Sequence, residues 1–324
     1  RQERRMKDQF QRTIDYARIS ITDRCNLYCT YCRPDHEEKL SHKDILRYEE
    51  ILRLCKILTK LGIDKFKITG GEPLVRKGCA DFIYELKKMN KVSKVTLTTN
   101  AIFLSRDLDK LTEAGIDGIN VSLDFMDYEK YKNITGYDGY EKVMKAIKEA
   151  AYMGLNVKIN TVLTEQTTME DIQKFIDYIK YHKICIRFIE QMPLGNKQIT
   201  SSLSRDEIRK NLKDQGIRFH KVEQKIGNGP AVYETMEGYK GMIGWIEALH
   251  GKFCDRCNRI RLTSTGGVKP CLYYQEAGNI RKLLRNGSSD EEIKKVLEEI
   301  IYKKPQAHHF EDKPSDSKMY TIGG

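Results

Sequence analysis

The chain has 324 residues, 40% hydrophobic and 32% charged, and 57 Lys and Arg against 46 Asp and Glu give it a net charge of +11. That is enough chain for one large α/β domain plus a smaller one. No run approaches the eighteen apolar residues of a membrane-crossing helix, and Arg1-Gln2-Glu3-Arg4-Arg5 lacks the apolar stretch of a secretory signal. The expectation is a soluble, cytoplasmic protein whose nine cysteines, in a reducing compartment, bind metal more often than they pair as disulfides. Met6 reads as the natural start and residues 1 to 5 as a remnant. A pI of about 9.0 points to a polyanionic partner. No RNA-recognition or helix-turn-helix signature directs that charge to nucleic acid, and a nucleoside triphosphate suits the same field.

The first predicted strand, Tyr16 to Thr22, is β-branched and aromatic. It leads into Cys25-Asn26-Leu27-Tyr28-Cys29-Thr30-Tyr31-Cys32, a C-x3-C-x2-C set able to converge on one metal centre from a loop at a strand's carboxyl end, where α/β enzymes do chemistry. Three cysteines are one fewer than a cubane iron-sulfur cluster or a structural zinc takes. Either one iron is left open for a small molecule, or a distant residue such as His36 completes a zinc site. The spacing, with an aromatic residue just before the last Cys, resembles the signature of the radical S-adenosylmethionine (SAM) superfamily.

A helix is predicted over 44–61, where Ile45, Ile51, Leu52, Cys55, Leu58 and Leu61 recur near helical spacing before Gly62; Cys55 belongs to that stripe and is expected in the core. Strand 63–69 runs into Gly70-Gly71-Glu72-Pro73, where two glycines permit close backbone approach and the proline restrains the exit. So placed, this turn resembles the radical-SAM segment that holds the amino group of the methionine moiety. Helix 79–89, strand 92–98, helix 105–114, strand 118–123, helix 139–153, strand 156–163, helix 169–181 and strand 184–189 follow. Strand–helix alternation predicts parallel βα units with right-handed crossovers. Eight such units close a TIM barrel; six leave an incomplete (β/α)6 TIM-type barrel, which the radical-SAM resemblance also implies.

The pattern breaks after Gln191 to Asn196, so the domain boundary is placed near residue 195, with 1–195 a partial barrel and 196–324 a C-terminal α+β domain. A helix near 204–214 precedes alternating segments at 218–223, 231–236 and 241–247, which read as an antiparallel sheet. Two terminal helices, near 276–285 and 289–303, lead to a polar tail whose His308 and His309 read as solvated. Within this domain Cys254, Cys257 and Cys271 form a second three-cysteine set, C-x2-C-x13-C; a zinc ribbon would show C-x2-C twice. Arg259 and Arg261 alternate on the predicted strand Asn258 to Leu262, so both project from one face beside these ligands, and arginine grips phosphate bidentately.

At these residues the chain, from about Phe10 to its end, resembles the GTP 3′,8-cyclase family, lyases that open molybdenum cofactor (molybdopterin) biosynthesis. The matching pieces are Thr22-Asp23-Arg24-Cys25-Asn26-Leu27, Thr69-Gly70-Gly71-Glu72-Pro73-Leu74, Thr98-Thr99-Asn100, Asn120-Val121-Ser122-Leu123-Asp124, Arg187-Phe188-Ile189-Glu190, Phe253-Cys254 with Cys257-Asn258-Arg259 and Arg261-Leu262, and the terminal Gly323-Gly324. The resemblance implies two [4Fe-4S] clusters. Cys25, Cys29 and Cys32 would hold one whose open iron binds SAM, and Cys254, Cys257 and Cys271 a second whose open iron binds the guanine of GTP. It implies SAM contacts at Tyr31, Gly70, Gly71, Glu72, Ser122 and Met192. GTP contacts, chiefly to phosphate, fall on Arg18, Lys67, Thr98, Lys158, Arg259 and Arg261, and catalytic roles on Arg259, Arg261, Gly323 and Gly324. Lys67 stands where the family typically has Arg, keeping the charge without the fork, and Ala101 stands where TTNG is usual.

The reaction so implied is reductive cleavage of SAM to a 5′-deoxyadenosyl radical, abstraction of the ribose 3′ hydrogen of GTP, and attack of the sugar radical on guanine C8 to give 3′,8-cyclo-7,8-dihydro-GTP. An electron donor such as flavodoxin or ferredoxin and a downstream cyclic pyranopterin monophosphate synthase are the implied partners of a monomer or homodimer, with no membrane and no nucleic acid. Two rivals remain open from the residues alone. One is a radical-SAM peptide modifier, which usually shows more extension cysteines; the other is a zinc-stabilised nucleic-acid-binding protein.

Overall fold

A computed structural model describes residues 5–32, 40–194, 202–224, 226–312, 314, 315 and 322. Six strands, β1 (Tyr16–Ser20), β2 (Lys65–Thr69), β3 (Lys94–Thr99), β4 (Gly118–Ser122), β5 (Val157–Leu163) and β6 (Cys185–Glu190), pair in parallel in chain order. The crossovers carry α1 (Tyr48–Lys60), α2 (Cys79–Lys88), α3 (Leu104–Glu113), α4 (Tyr128–Thr135), α5 (Tyr140–Tyr152) and α6 (Met169–Tyr181). Each helix buries one stripe against the sheet: in α1 it is Ile51, Leu54, Cys55 and Leu58, at helical spacing. Cys55 is fully buried, as expected. α4 has no counterpart in the sequence reading, although both its ends are marked. The Asp127 side chain accepts from the Lys130 amide at 3.0 Å, and Gly136, in the left-handed region at φ 65, closes the helix.

Successive side chains of a strand point to opposite faces, and here the two faces differ in chemistry. Ala17, Ile19, Phe66, Ile68, Val95, Leu97, Ile119 and Val121 join the hydrophobic core. The alternate positions, Arg18, Lys67, Thr96, Thr98, Asn120, Lys158 and Arg187, line an interior cavity. Closed TIM barrels fill their interior with layers of bulky branched side chains. Polar inner positions leave this one hollow.

Beyond α7 (Arg205–Asp214), the strands β7 (Phe219–Lys221), β8 (Val232–Met236) and β9 (Met242–Ile246) form the expected antiparallel meander. It is not a separate sheet, because β9 pairs in parallel with β6 from Cys185↔Met242 to Ile189↔Ile246. At the other edge β10 (Arg259–Leu262) lies parallel to β1, with Arg18 opposite Arg261, and β11 (Gly267–Lys269) and β12 (Gly278–Asn279) continue antiparallel. The result is one twelve-stranded sheet, ordered β12-β11-β10-β1-β2-β3-β4-β5-β6-β9-β8-β7. The terminal helices are α8 (Arg281–Arg285) and α9 (Asp290–Tyr302). α8 starts later than the predicted 276 because Gly278 and Asn279 pair with β11. His308 is not solvated: it is buried and donates through Nε2 to the Ala248 carbonyl at 2.8 Å, whereas His309 is exposed. Among the described residues no helix is long and apolar enough to cross a membrane.

Candidate active site

Both cysteine sets face one cavity of about 570 Å³ inside the barrel. The first sits directly after β1, and its shape comes from a backbone-to-backbone contact with the turn after β2. The Gly71 amide donates to the Thr22 carbonyl at 2.7 Å and the Glu72 amide to the Arg24 carbonyl at 2.8 Å. A Cβ at Gly71 would lie 2.5 Å from the Arg24 oxygen, and one at Gly70 2.7 Å from the Thr22 oxygen. The close approach that needs these glycines is thus to the cysteine loop itself.

Glu72 is fully enclosed. Its carboxylate accepts from the Leu74 amide (3.0 Å), the Thr99 hydroxyl (2.7 Å) and the Asn100 amide (2.6 Å), and burial pushes it up to about 7. It fixes the turn after β3, from which Asn100 Nδ2 donates to Asn26 Oδ1 at 2.9 Å and lies 3.8 Å from Cys25 Sγ. In that turn Ala101 adopts φ 65. The side chain costs about 1–2 kcal/mol there relative to glycine. On the other side of the loop Tyr31 donates to Asp124 Oδ2 at 2.7 Å. Burial, with Asp124 and the neighbouring thiols, raises both the Tyr31 hydroxyl and the Cys29 thiol. Ser122 and Met192 also line the cavity.

The middle of the cavity carries buried cations. Arg261, Arg18 and Lys67 are adjacent across β10, β1 and β2, with Lys158 on β5 and Arg187 on β6. Burial depresses Lys67 strongly, and the positive charges of Arg18, Arg187, Arg259 and Lys158 push it the same way. Arg261 is depressed by burial, Arg18 and Arg259, and Lys158 falls to about 8 through burial and Arg187. Thr98 Oγ1 and Arg259 Nε are buried without a hydrogen-bond partner among the described residues. Enclosed like charges are costly unless a counter-charge offsets them, so the arrangement suits a polyanion. Arg187 belongs to this set too, although its sequence motif alone assigns it no role. Asn160 Oδ1 accepts from its Nε at 2.8 Å and Asn120 Oδ1 from its Nη2; the available signal was a basic residue on a barrel strand.

The second set begins on a 3-10 turn, Cys254–Arg256, immediately before β10. Burial would raise the Cys257 thiol, but Lys304 and Arg259 outweigh it and draw it down to about 7. All nine cysteines are free. Among the described residues the one trio of potential ligands with its atoms all within 4.8 Å is the exposed His309, Glu311 and Asp312. Each cysteine set offers three thiolate donors, one fewer than a closed zinc site or a cubane cluster takes, so a cluster held there keeps one iron open. His36, Gly323, Gly324, Arg1 to Arg4 and the boundary at residue 195 lie outside the described residues.

Residues 19–179 match the family model for the Radical SAM superfamily, and residues 184–310 that for Molybdenum Cofactor Synthesis C. A protein of Thermodesulfovibrio yellowstonii named GTP 3′,8-cyclase is 41% identical over 324 residues, spanning 98% of this chain and 100% of that one. A protein of the same name from Clostridium perfringens strain SM101 is 39% identical over 323 residues, with the same coverage. Among solved structures, Streptococcus suis SuiB bound to S-adenosylmethionine aligns with a TM-score of 0.63 at 18% identity, over 87% of this chain and 67% of that one. Native anSMEcpe with bound AdoMet gives 0.57 at 20% identity, over 86% and 81%. Those two likenesses speak to the fold alone. Identity sustained from end to end of both chains goes further: this chain belongs to the GTP 3′,8-cyclase family of the radical SAM superfamily.

Proposed function

We propose that the cavity binds GTP and SAM with two [4Fe-4S] clusters, one on Cys25, Cys29 and Cys32 and the other on Cys254, Cys257 and Cys271, and that the product is 3′,8-cyclo-7,8-dihydro-GTP. The observation that carries this reading is that both three-thiol sets and the buried cations face the same cavity. When bound, the first cluster and SAM supply the 5′-deoxyadenosyl radical that takes the ribose 3′ hydrogen, and the chemistry is the cofactors' own.

The protein's part is binding, orientation and exclusion of water. Arg18, Lys67, Lys158, Arg187, Arg259 and Arg261 hold the triphosphate, whose charge offsets their mutual repulsion, and Thr98 donates its unpartnered hydroxyl. Tyr31, Gly70, Gly71, Ser122 and Met192 shape the SAM side, and Glu72 acts there through the turn it fixes. Chemistry then divides at the boundary near residue 195, with the SAM centre before it and the auxiliary centre after it. An electron donor such as flavodoxin or ferredoxin serves the first centre, a cyclic pyranopterin monophosphate synthase consumes the product, and the compartment is the cytoplasm, where thiols stay reduced.

Anaerobic incubation with GTP, SAM and a low-potential reductant, followed by mass spectrometry, tests the reading. Cyclised product with stoichiometric 5′-deoxyadenosine is expected; SAM cleavage with GTP recovered unchanged would refute it. Gly323 and Gly324 are assigned to the active site. Deleting them should leave iron content and GTP affinity intact but suppress product, and full-rate turnover by the truncated chain would show the tail to be dispensable.

A further inference from the structure

We infer that Arg12, Asp15 and Lys304 are positioning residues for the second cysteine centre, forming a clasp from the two ends of the chain; the inference rests on the two-cluster reading above. The cysteines of that centre come from two stretches, 254–258 and 270–271, separated by the β10–β11 hairpin, and most of their length has no regular structure. Each cysteine is nevertheless held at its own backbone or at an adjoining residue. Arg12 Nη1 donates to the Cys254 carbonyl at 2.9 Å. Asn258, next to Cys257, donates its side-chain amide to Asp15 Oδ1 at 2.7 Å, while its carbonyl accepts the amides of Asp15 (3.1 Å) and Tyr16 (3.2 Å). Lys304 Nζ donates to the carbonyl of Pro270, next to Cys271, and to that of Arg259 at 3.0 Å. Lys304 thus ties the 270–271 stretch to the first residue of β10, which follows directly on the 254–258 stretch and carries the arginines assigned to phosphate.

All three side chains are buried, at 8%, 7% and 1% exposure for Arg12, Asp15 and Lys304, so their charge is not there for solubility. Arg12 is neutralised by Asp8 Oδ2 at 2.6 Å, and its fork also takes the carbonyls of Pro305 (2.6 Å) and Gln306 (2.6 Å). The segment after α9 is thereby fastened to the N-terminal segment and the cysteine turn together. Asp15 receives Lys65 Nζ at 2.5 Å. Most donors of Arg12, and both printed bonds of Lys304, end on backbone carbonyls; such an ion fixes geometry, because losing it leaves several enclosed acceptors unmet at once.

The test is anaerobic iron release to a ferrous chelator from the reconstituted full chain, in the wild type and in the variants Arg12→Gln, Arg12→Lys and Lys304→Met. The phase belonging to the second centre is identified by its disappearance when Cys254, Cys257 and Cys271 are replaced by Ala. In Arg12→Gln and Lys304→Met that phase should quicken at least about tenfold, with a matching loss of GTP affinity, while the other phase keeps its wild-type rate. Arg12→Lys should restore part of the effect, since an ammonium keeps the charge but lacks the planar fork. An unchanged second phase in both Arg12→Gln and Lys304→Met would overturn the inference, and so would equal acceleration of both phases with a fall in melting temperature, which marks general loosening. A wild type holding about four irons instead of about eight would remove the second cluster itself, an outcome distinct from an unchanged phase in an eight-iron chain.

Discussion

Around Cys25, Cys29 and Cys32 the loop's own backbone is held by backbone, with Gly71 and Glu72 amides on the Thr22 and Arg24 carbonyls and the Tyr28 and Thr30 amides on those of Thr135 and Ile134, and uncharged Asn100 and the Tyr31–Asp124 bond add side-chain contacts. Around Cys254, Cys257 and Cys271 the supporting contacts are made by charged side chains remote in the chain, Arg12 being 242 residues from the carbonyl it holds. The first centre is a loop shaped by the strand ends and the last turn of α4 beside it. The second is assembled from segments that meet only when the sheet is complete. This difference predicts that the two centres fail separately.

The largest effect should come from the thiols. Replacing any of Cys25, Cys29 or Cys32 by Ala is expected to abolish 5′-deoxyadenosine formation while GTP still binds, whereas replacing Cys254, Cys257 or Cys271 should chiefly damage GTP binding. Equal loss of SAM binding in both groups would erase the distinction. Next, Gly71→Ala attacks the first centre alone, because the new Cβ would meet the Arg24 carbonyl at 2.5 Å. The loop must shift, and a displacement near 1 Å costs about a hundredfold in turnover. GTP affinity, measured by calorimetry, should stay near wild type; a parallel fall in both would show the centres to be mechanically coupled.

Smaller effects sharpen the cation side. Arg259→Ala or Arg261→Ala should weaken GTP by about 1.5–3 kcal/mol, the range for a charge-assisted hydrogen bond, and leave guanosine nearly unaffected. If guanosine weakened equally, these arginines would not be holding phosphate. The smallest change is a pH dependence. Burial and Arg187 lower Lys158 from 10.5 to about 8, so below that pH the ammonium attracts phosphate and above it the neutral amine does not. Because bound GTP draws the proton back, affinity should decline gradually as pH rises from about 8 towards 10.5. Lys158→Arg, which stays charged, should flatten the profile; a decline unchanged in that variant would assign it to another group.

The barrel and its cysteine loop were legible because period-2 strands, helical stripes and the C-x3-C-x2-C and Gly-Gly-Glu-Pro motifs are local signals. α4 is not legible in the sequence because Tyr128–Thr135 is short and polar, so its caps stand without a clear apolar stripe. β11 and β12 are three and two residues long and exist through pairing with distant partners. For the same reason nothing local announced that β9 and β10 would extend the barrel sheet at both edges. Glu72 is expected as a cofactor contact from its motif; its bonds to Thr99 and Asn100, which also fix the turn after β3, have no local signal. Arg12, Asp15 and Lys304 were unreadable in isolation: a buried charge is recognised only by the carbonyls and carboxylates that surround it.

Metal analysis of anaerobically purified protein tests the central claim, two independently held three-thiol clusters on one cavity, most directly. The wild type should hold about eight irons per chain, and a triple Cys→Ala variant at either set about four. The variant lacking Cys254, Cys257 and Cys271 should still cleave SAM, and the one lacking Cys25, Cys29 and Cys32 should still bind GTP. Zinc in place of iron, or loss of all iron from either triple variant, would contradict the account.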